Sequence, residues 1–315
     1  MDEPGASYAP TYYPGAIEFH RAEPIVLKPG VEKQADMAVG TVPAAKVHLR
    51  CPGSGAEGES CPGVARLTPE GMGGVPLDRL DAVPPGRYAL SFVAEGTAAY
   101  KVIDVGSGDM TVDLNLEPVP VIEGKVAFRN GAPKPGSLQI TLVDETTGEW
   151  FPADIDSDGG FRFSAVIRGK LRMSLGGEPV WFIAEMSAKG APLKDGVLDA
   201  TGSSEVHLNI VVSDERGRLK GFAMNGDAPA PETLVVLAPR DGYSEPLGFQ
   251  TESDGSFDYT SVPAGDYLLF AVDKLDFEYA NPEVTRPYLA AATAVHVPVH
   301  GVVEQRVKLA AAPVK

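Results

Sequence analysis

Positive charge, cysteine and long apolar runs are scarce in this chain, and each scarcity excludes something. Its 315 residues include 27 Lys and Arg against 43 Asp and Glu, a formal net charge of −16. Gripping a phosphate backbone needs clustered basic side chains. No cluster occurs, so no nucleic-acid partner is expected. No stretch approaches the roughly 18 consecutive apolar residues that cross a bilayer, so no membrane insertion is expected in this segment. A Gly-x-Ser-x-Gly elbow, a His-Glu-x-x-His helix and a phosphate-cradling loop are all missing. The expectation is a protein that is not an enzyme, with no catalytic residues and no cofactor.

Cysteine occurs twice, as Cys51 and Cys61, around the flexible run Pro52-Gly53-Ser54-Gly55-Ala56-Glu57-Gly58-Glu59-Ser60. A loop of this kind brings two Cβ atoms within disulfide reach easily. The alternative, a redox or metal pair, has neither a Cys-x-x-Cys spacing nor a neighbouring His and Cys cluster to support it. A structural disulfide implies an oxidising compartment, periplasmic or extracellular. The opening Met1-Asp2-Glu3-Pro4 shows no basic or apolar leader region. Either the protein is cytosolic, or a signal was removed with an upstream segment.

Glycine (35) and proline (28) are abundant, and 43% of residues are hydrophobic. Without a Gly-X-Y period this is not collagen. With strong apolar alternation it reads as short strands joined by many turns. Three stretches each open on an alternating strand: Lys46–Arg50, Ile122–Phe128 and Arg218–Ala223. Each closes on another: Thr111–Leu116, Glu205–Ile210 and Glu304–Leu309. Period-2 alternation means a sheet with one buried face. Turn signals about every 8–12 residues suit an all-β sandwich. Glu117-Pro118-Val119-Pro120 reads as a semi-rigid linker. No segment shows a helical period with caps.

The fold class expected is therefore all-β, as tandem Ig-like or transthyretin-like β-sandwich modules in an elongated array. The boundaries are residues 43–118, 119–213 and 214–315 for three modules. Residues 22–39 repeat the order of 293–309, a strand, a Gly turn at Gly30 or Gly301 and an alternating strand. Residues 1–42 are thus expected to be the C-terminal strands of a truncated preceding module.

Asp158-Gly159-Gly160-Phe161 recurs as Asp254-Gly255-Ser256-Phe257, with a second turn at Gly169 or Gly265, eight positions beyond each Phe. Asp-Gly closes a hairpin because Gly tolerates positive φ. Each Phe is expected inward as a core anchor. Tyr267, in Val262-Pro263-Ala264-Gly265-Asp266-Tyr267, is expected to pack its ring and keep its hydroxyl near water. These turns resemble the signature of the carboxypeptidase regulatory-like domain, which is similar to transthyretin-like and carbohydrate-binding-like sandwiches and to collagen-adhesin B-type repeats. The third stretch fits best. The first keeps Val83-Pro84-Pro85-Gly86-Arg87-Tyr88 but lacks the Asp-Gly-x-Phe. The resemblance covers nearly the whole chain, and the module it implies has no catalytic residues to carry over.

The adhesin-like resemblance further implies a possible Lys–Asn isopeptide bond, for which Lys125, Asn209 and the carboxylate of Glu185 stand in suitable places. Asp154, Asp156 and Asp158 fit the start of a calcium loop, but its twelfth position is Ala165 rather than a bidentate Glu. Solvated turn acids are the better reading, so no metal is expected. His296 and His300 lie about 13 Å apart along one strand, too far to share an ion. Trp150, Tyr12, Tyr13 and Tyr243 are the candidates for stacking on a sugar, while Trp181 sits inside an apolar run and reads as core. The functional expectation is a non-enzymatic adhesion, spacer or scaffold segment of a longer secreted or periplasmic bacterial protein. A carbohydrate-binding module and an accessory region of a peptidase are the alternatives. The partner, protein or glycan, is not identified by the sequence.

Overall fold

A computed structural model describes residues 6–27, 32–52, 61–72, 76–131, 136, 138–164, 166–177, 180–242 and 244–310. The architecture is all-β, built of successive two-layer sandwiches. In the first, Val47–Arg50 pairs with Met110–Asp113. It faces a sheet ordered Val64–Pro69, Gly86–Ala94, Thr97–Val105 and Glu117–Pro118. The second sets a sheet of Gly160–Arg162, Val121–Phe128, Glu205–Ser213 and Phe182–Lys189 against one led by Trp150–Asp154, Gln139–Asp144 and Lys170–Gly176. In the third, Arg216–Asn225 lies between Ser256–Pro263 and Val302–Lys308. The opposite layer is Leu247–Gln250, Leu234–Pro239, Gly265–Val272 and Thr293–Val297.

The opening and closing strands share one sheet in every unit, and each time they run parallel. Val47 pairs with Met110, Val121 with Glu205, and Arg218 with Val302. Alternation then fills each core from both layers. In the second unit Ile122, Val126, Leu208 and Ile210 meet Ile140, Leu142, Leu171 and Met173.

The repeated Phe anchors the core as expected. Phe161 and Phe257 are 4% and 1% exposed. Their cross-strand partners were not foreseen. Phe161 lies opposite Gly124 and Phe257 opposite Gly221, each a glycine in the opening strand. A Cβ on Gly124 would sit 2.1 Å from the Leu208 carbonyl oxygen, and one on Gly221 would sit 1.7 Å from that of Gln305. The bare backbone thus lets the closing strand and the ring approach together. The first unit lacks the Asp-Gly-x-Phe turn and has no glycine in Val47–Arg50. In the turns, Gly159 and Gly255 adopt φ of 84° and 80°. Asp254 Oδ1 accepts the Ser256 amide at 2.9 Å.

Several local expectations are corrected. The Tyr267 hydroxyl is not turned to water: it donates to the Pro263 carbonyl at 2.7 Å, four residues back. Tyr88 does the same to Pro84 at 2.9 Å. A tyrosine locked onto its own upstream turn fixes the corner between strands. Glu117–Pro118 is not bare linker, because it adds a strand beside Thr97–Ala98. Pro282–Leu289 is a helix, capped by Asn281, whose side chain accepts the Glu283 amide. Pro282 in its first turn needs no amide partner. Its Tyr288 stacks on Phe270 with ring centroids 5.6 Å apart. That contact covers the outer face of the sheet, so Leu234, Val235, Val236, Leu237 and Ala238 are all buried. Trp181 is only partly buried, edge-on to Phe128 at 5.5 Å.

In the leading segment, Ala6–Tyr8 pairs with Thr41–Pro43 as a two-stranded ribbon. The strand, turn and strand read over 22–39 is not seen among its described residues, and Ile25, Val26 and Leu27 are exposed. Gly30 lies outside the described residues. No helix among those described is long and apolar enough to cross a membrane.

Candidate functional site

A cleft of about 500 Å³ lies where residues 10–20 fold against the first unit. The Tyr13–Pro14 bond in this segment is cis. Tyr12 and Ala16 exchange two backbone hydrogen bonds of 2.8 Å across this turn. Tyr12 then reaches the first unit and donates its hydroxyl to the Glu70 carbonyl. Burial, and secondarily the Glu70 charge, push the Tyr12 hydroxyl above the usual tyrosine range. Phe19 stands edge-on to Tyr12 with centroids 5.6 Å apart. Its ring lies on Gly71, where a Cβ would come within 2.4 Å of Cδ2. Phe19 is nonetheless 49% exposed.

Charged groups rim these rings. Arg87 stands between Glu70 and Asp104, 3.9 Å from each carboxylate. Glu18 pairs with His20 at 3.2 Å and Arg21 at 2.8 Å. Such aromatic faces can stack on a flat apolar surface, while the carboxylates beside them accept hydroxyl hydrogen bonds and the guanidinium donates them.

The structure brings Tyr12 into this cleft and adds Phe19, which the sequence reading missed. Only its place beside Tyr12 marks it out, and that arises from the turn at Pro14. Tyr13 is half-buried and does not line the cleft. Trp150 is 55% exposed but begins the edge strand Trp150–Asp154 of the second unit. Tyr243 lies outside the described residues.

Cys51 and Cys61 form a disulfide, with Cα atoms 5.7 Å apart. Asp154, Asp156 and Asp158 are exposed. Asp154 accepts Gln139 at 2.8 Å. Asp158 takes the Gly160 amide at 3.3 Å and lies 3.4 Å from Lys125. Those contacts, the Gly160 amide first, hold the Asp158 carboxyl below the usual range. Ala165 lies outside the described residues. Lys125 and Asn209 are direct cross-strand partners. Both are exposed, as is Glu185, which pairs with Arg129 at 2.6 Å. His296 lies 2.9 Å from Asp266, while His300 has left the strand for a turn with φ of 53°.

Side chains also join successive units. Glu149, 9% exposed, accepts Ser91 at 3.3 Å and lies 3.5 Å from Arg66, both in the first unit. Ala98 of the first unit is buried in the second unit's apolar cluster. At the next joint, Arg216 donates to the Val180 carbonyl at 2.8 Å and stands over the Phe182 ring at 5.8 Å. Asn130 bonds Glu215 beside it.

No protein-family model matches the chain, and no curated protein matches it. Among solved structures, the Bacillus anthracis TIE protein is similar at 14% identity and a TM-score of 0.24, over 86% of this chain. The match takes in 51% of that chain, so this chain spans about half its length. A streptococcal ancillary pilin is similar at 10% identity and a TM-score of 0.29, over 83% of this chain and 98% of that one. A pair of B repeats from the collagen-binding protein of Staphylococcus aureus is similar at 11% identity and a TM-score of 0.20, over 72% and 67%. The regulatory-like resemblance therefore rests on the turn residues themselves.

Proposed function

We propose that this chain is a non-enzymatic spacer or scaffold with an adhesive role. It is a row of β-sandwich units, residues 43–118, 119–213 and 214–315, preceded by the segment 1–42, and it works in a periplasmic or extracellular setting. The observation that carries this reading is the pair of joints. At the first the buried Glu149 reaches Arg66 and Ser91, and at the second Arg216 bonds the Val180 carbonyl and covers the Phe182 ring, which stiffens the row. The disulfide suits an oxidising compartment.

Spin labels on Ser107→Cys and Asp227→Cys, in the first and third units, test the stiffness. A single narrow distance distribution is expected from pulsed dipolar spectroscopy. A broad one, typical of independently tumbling units, contradicts the reading.

The cleft favours a second reading, glycan binding, with Phe19 as the stacking face and Glu70, Arg87 and Asp104 as hydrogen-bonding rim. A glycan array run with Phe19→Ala and Trp150→Ala separates the two aromatic candidates. Loss of retention in Phe19→Ala alone supports the cleft; no retention of the unaltered chain on any glycan removes this reading.

A further inference from the structure

Glu123, Glu205 and His207 cluster on the outer face of the second unit, and neither reading above uses them. Alternation along Glu205-Val206-His207-Leu208 buries Val206 and Leu208 and turns the Glu and His outward. The parallel register then sets His207 directly beside Glu123. The ring presents Nδ1 to Glu123 Oε1 at 3.5 Å and Nε2 to Glu205 Oε1 at 3.1 Å. One ligand atom from each residue lies within 4.8 Å of the other two. Arg162 approaches the remaining oxygen of Glu123, Oε2, at 3.6 Å. That contact leaves Oε1 turned to the ring.

We infer that these three side chains bind a borderline divalent cation such as Zn²⁺. One imidazole with two carboxylates is a donor set for such an ion, and an imidazole nitrogen argues against Ca²⁺, which takes oxygen ligands. Bonds of about 2.0–2.2 Å place neighbouring ligand atoms roughly 3–3.6 Å apart. The Nε2–Glu205 contact already has that spacing, so an ion on Nε2 meets Glu205 at once; Glu123 faces the other ring nitrogen and joins the same ion by turning its carboxylate, or the ring, toward it. Two carboxylates neutralise the charge, and three protein ligands leave positions for water. Bound there, the ion ties the first strand of the unit to its last. Among the described residues no other three such side chains stand this close.

Calorimetric titration of the metal-free chain with ZnCl₂ tests the site, alongside His207→Asn, Glu205→Gln and the control His296→Asn. His296 faces a single carboxylate, Asp266. Unfolding midpoints without metal confirm that each variant folds. We expect one saturable site per chain, weakened at least tenfold by His207→Asn and by Glu205→Gln, unchanged by His296→Asn, and silent with CaCl₂. No saturable Zn²⁺ binding, equal affinity in every variant, an equal loss in all three, or Ca²⁺ binding as tight as Zn²⁺ overturns it.

Discussion

Glu149 and Arg66 meet across the joint between the first and second units, Oε1 to Nη1 at 3.5 Å, with the carboxylate almost wholly buried. A carboxylate removed from water needs partners, and here both partners, Arg66 and Ser91, come from the neighbouring unit. The two units are therefore coupled through a group that neither could bury alone.

That coupling has a pH signature. Burial raises the Glu149 carboxyl above the ordinary range, and Ser91 and Arg66 offset it only in part. The folded protein keeps a proton that the unfolded chain releases. Its contribution to stability is full below the ordinary Glu pKa and is lost as pH rises through the folded value. Exposed acids such as Asp158 and Asp254 have lowered values and act in the opposite sense. Comparing Glu149→Gln with the unaltered chain by thermal unfolding between about pH 4 and 7 isolates the joint. The stability of the variant relative to the parent should rise with pH.

Gly221→Ala is expected to cost about 3 kcal/mol or more, because its Cβ meets backbone rather than a movable side chain. Gly124→Ala should behave alike. Gly106→Ala, where no atom lies within 4 Å, serves as the control and should shift urea unfolding little.

Tyr267→Phe removes the hydroxyl bound to Pro263 while keeping the ring. It leaves a part-buried carbonyl short of a donor, at a cost of about 1 kcal/mol. Tyr88→Phe in the first unit strips a buried carbonyl and should cost more, about 1–3 kcal/mol. Chemical denaturation of each variant checks both values.

Reducing the Cys51–Cys61 bond reopens a ten-residue separation. Chain entropy sets its contribution at about 2–3 kcal/mol. Calorimetry with and without reductant should show a lowered transition for the first unit, a smaller shift for the second, which shares the Glu149 joint, and the third unmoved.

Within a strand, the sequence spoke clearly. Alternation located the opening and closing strands, and the Asp-Gly turns marked Phe161 and Phe257 as core. Relations across strands were hidden, because register depends on which strands pair. Gly124 beneath Phe161 follows from an antiparallel pairing, and His207 beside Glu123 from a parallel one, and neither strand announces its partner. The helix had its cap and proline in Asn281-Pro282, but eight residues with Pro287 inside give too short a period to recognise. Ile25-Val26-Leu27 carries a strand-like composition without a partner strand, and composition alone did not make it a strand. In the cleft, Tyr12 was legible as an aromatic near prolines. Phe19 was not, since it joins Tyr12 only through the folded turn.

Small-angle X-ray scattering of the monomeric chain tests the central claim, a stiff row of docked units. A compact globule of 315 residues has a radius of gyration of about 20 Å. The account predicts a value well above this, with a distance distribution skewed to a long tail. A value near 20 Å with a symmetric distribution would contradict it.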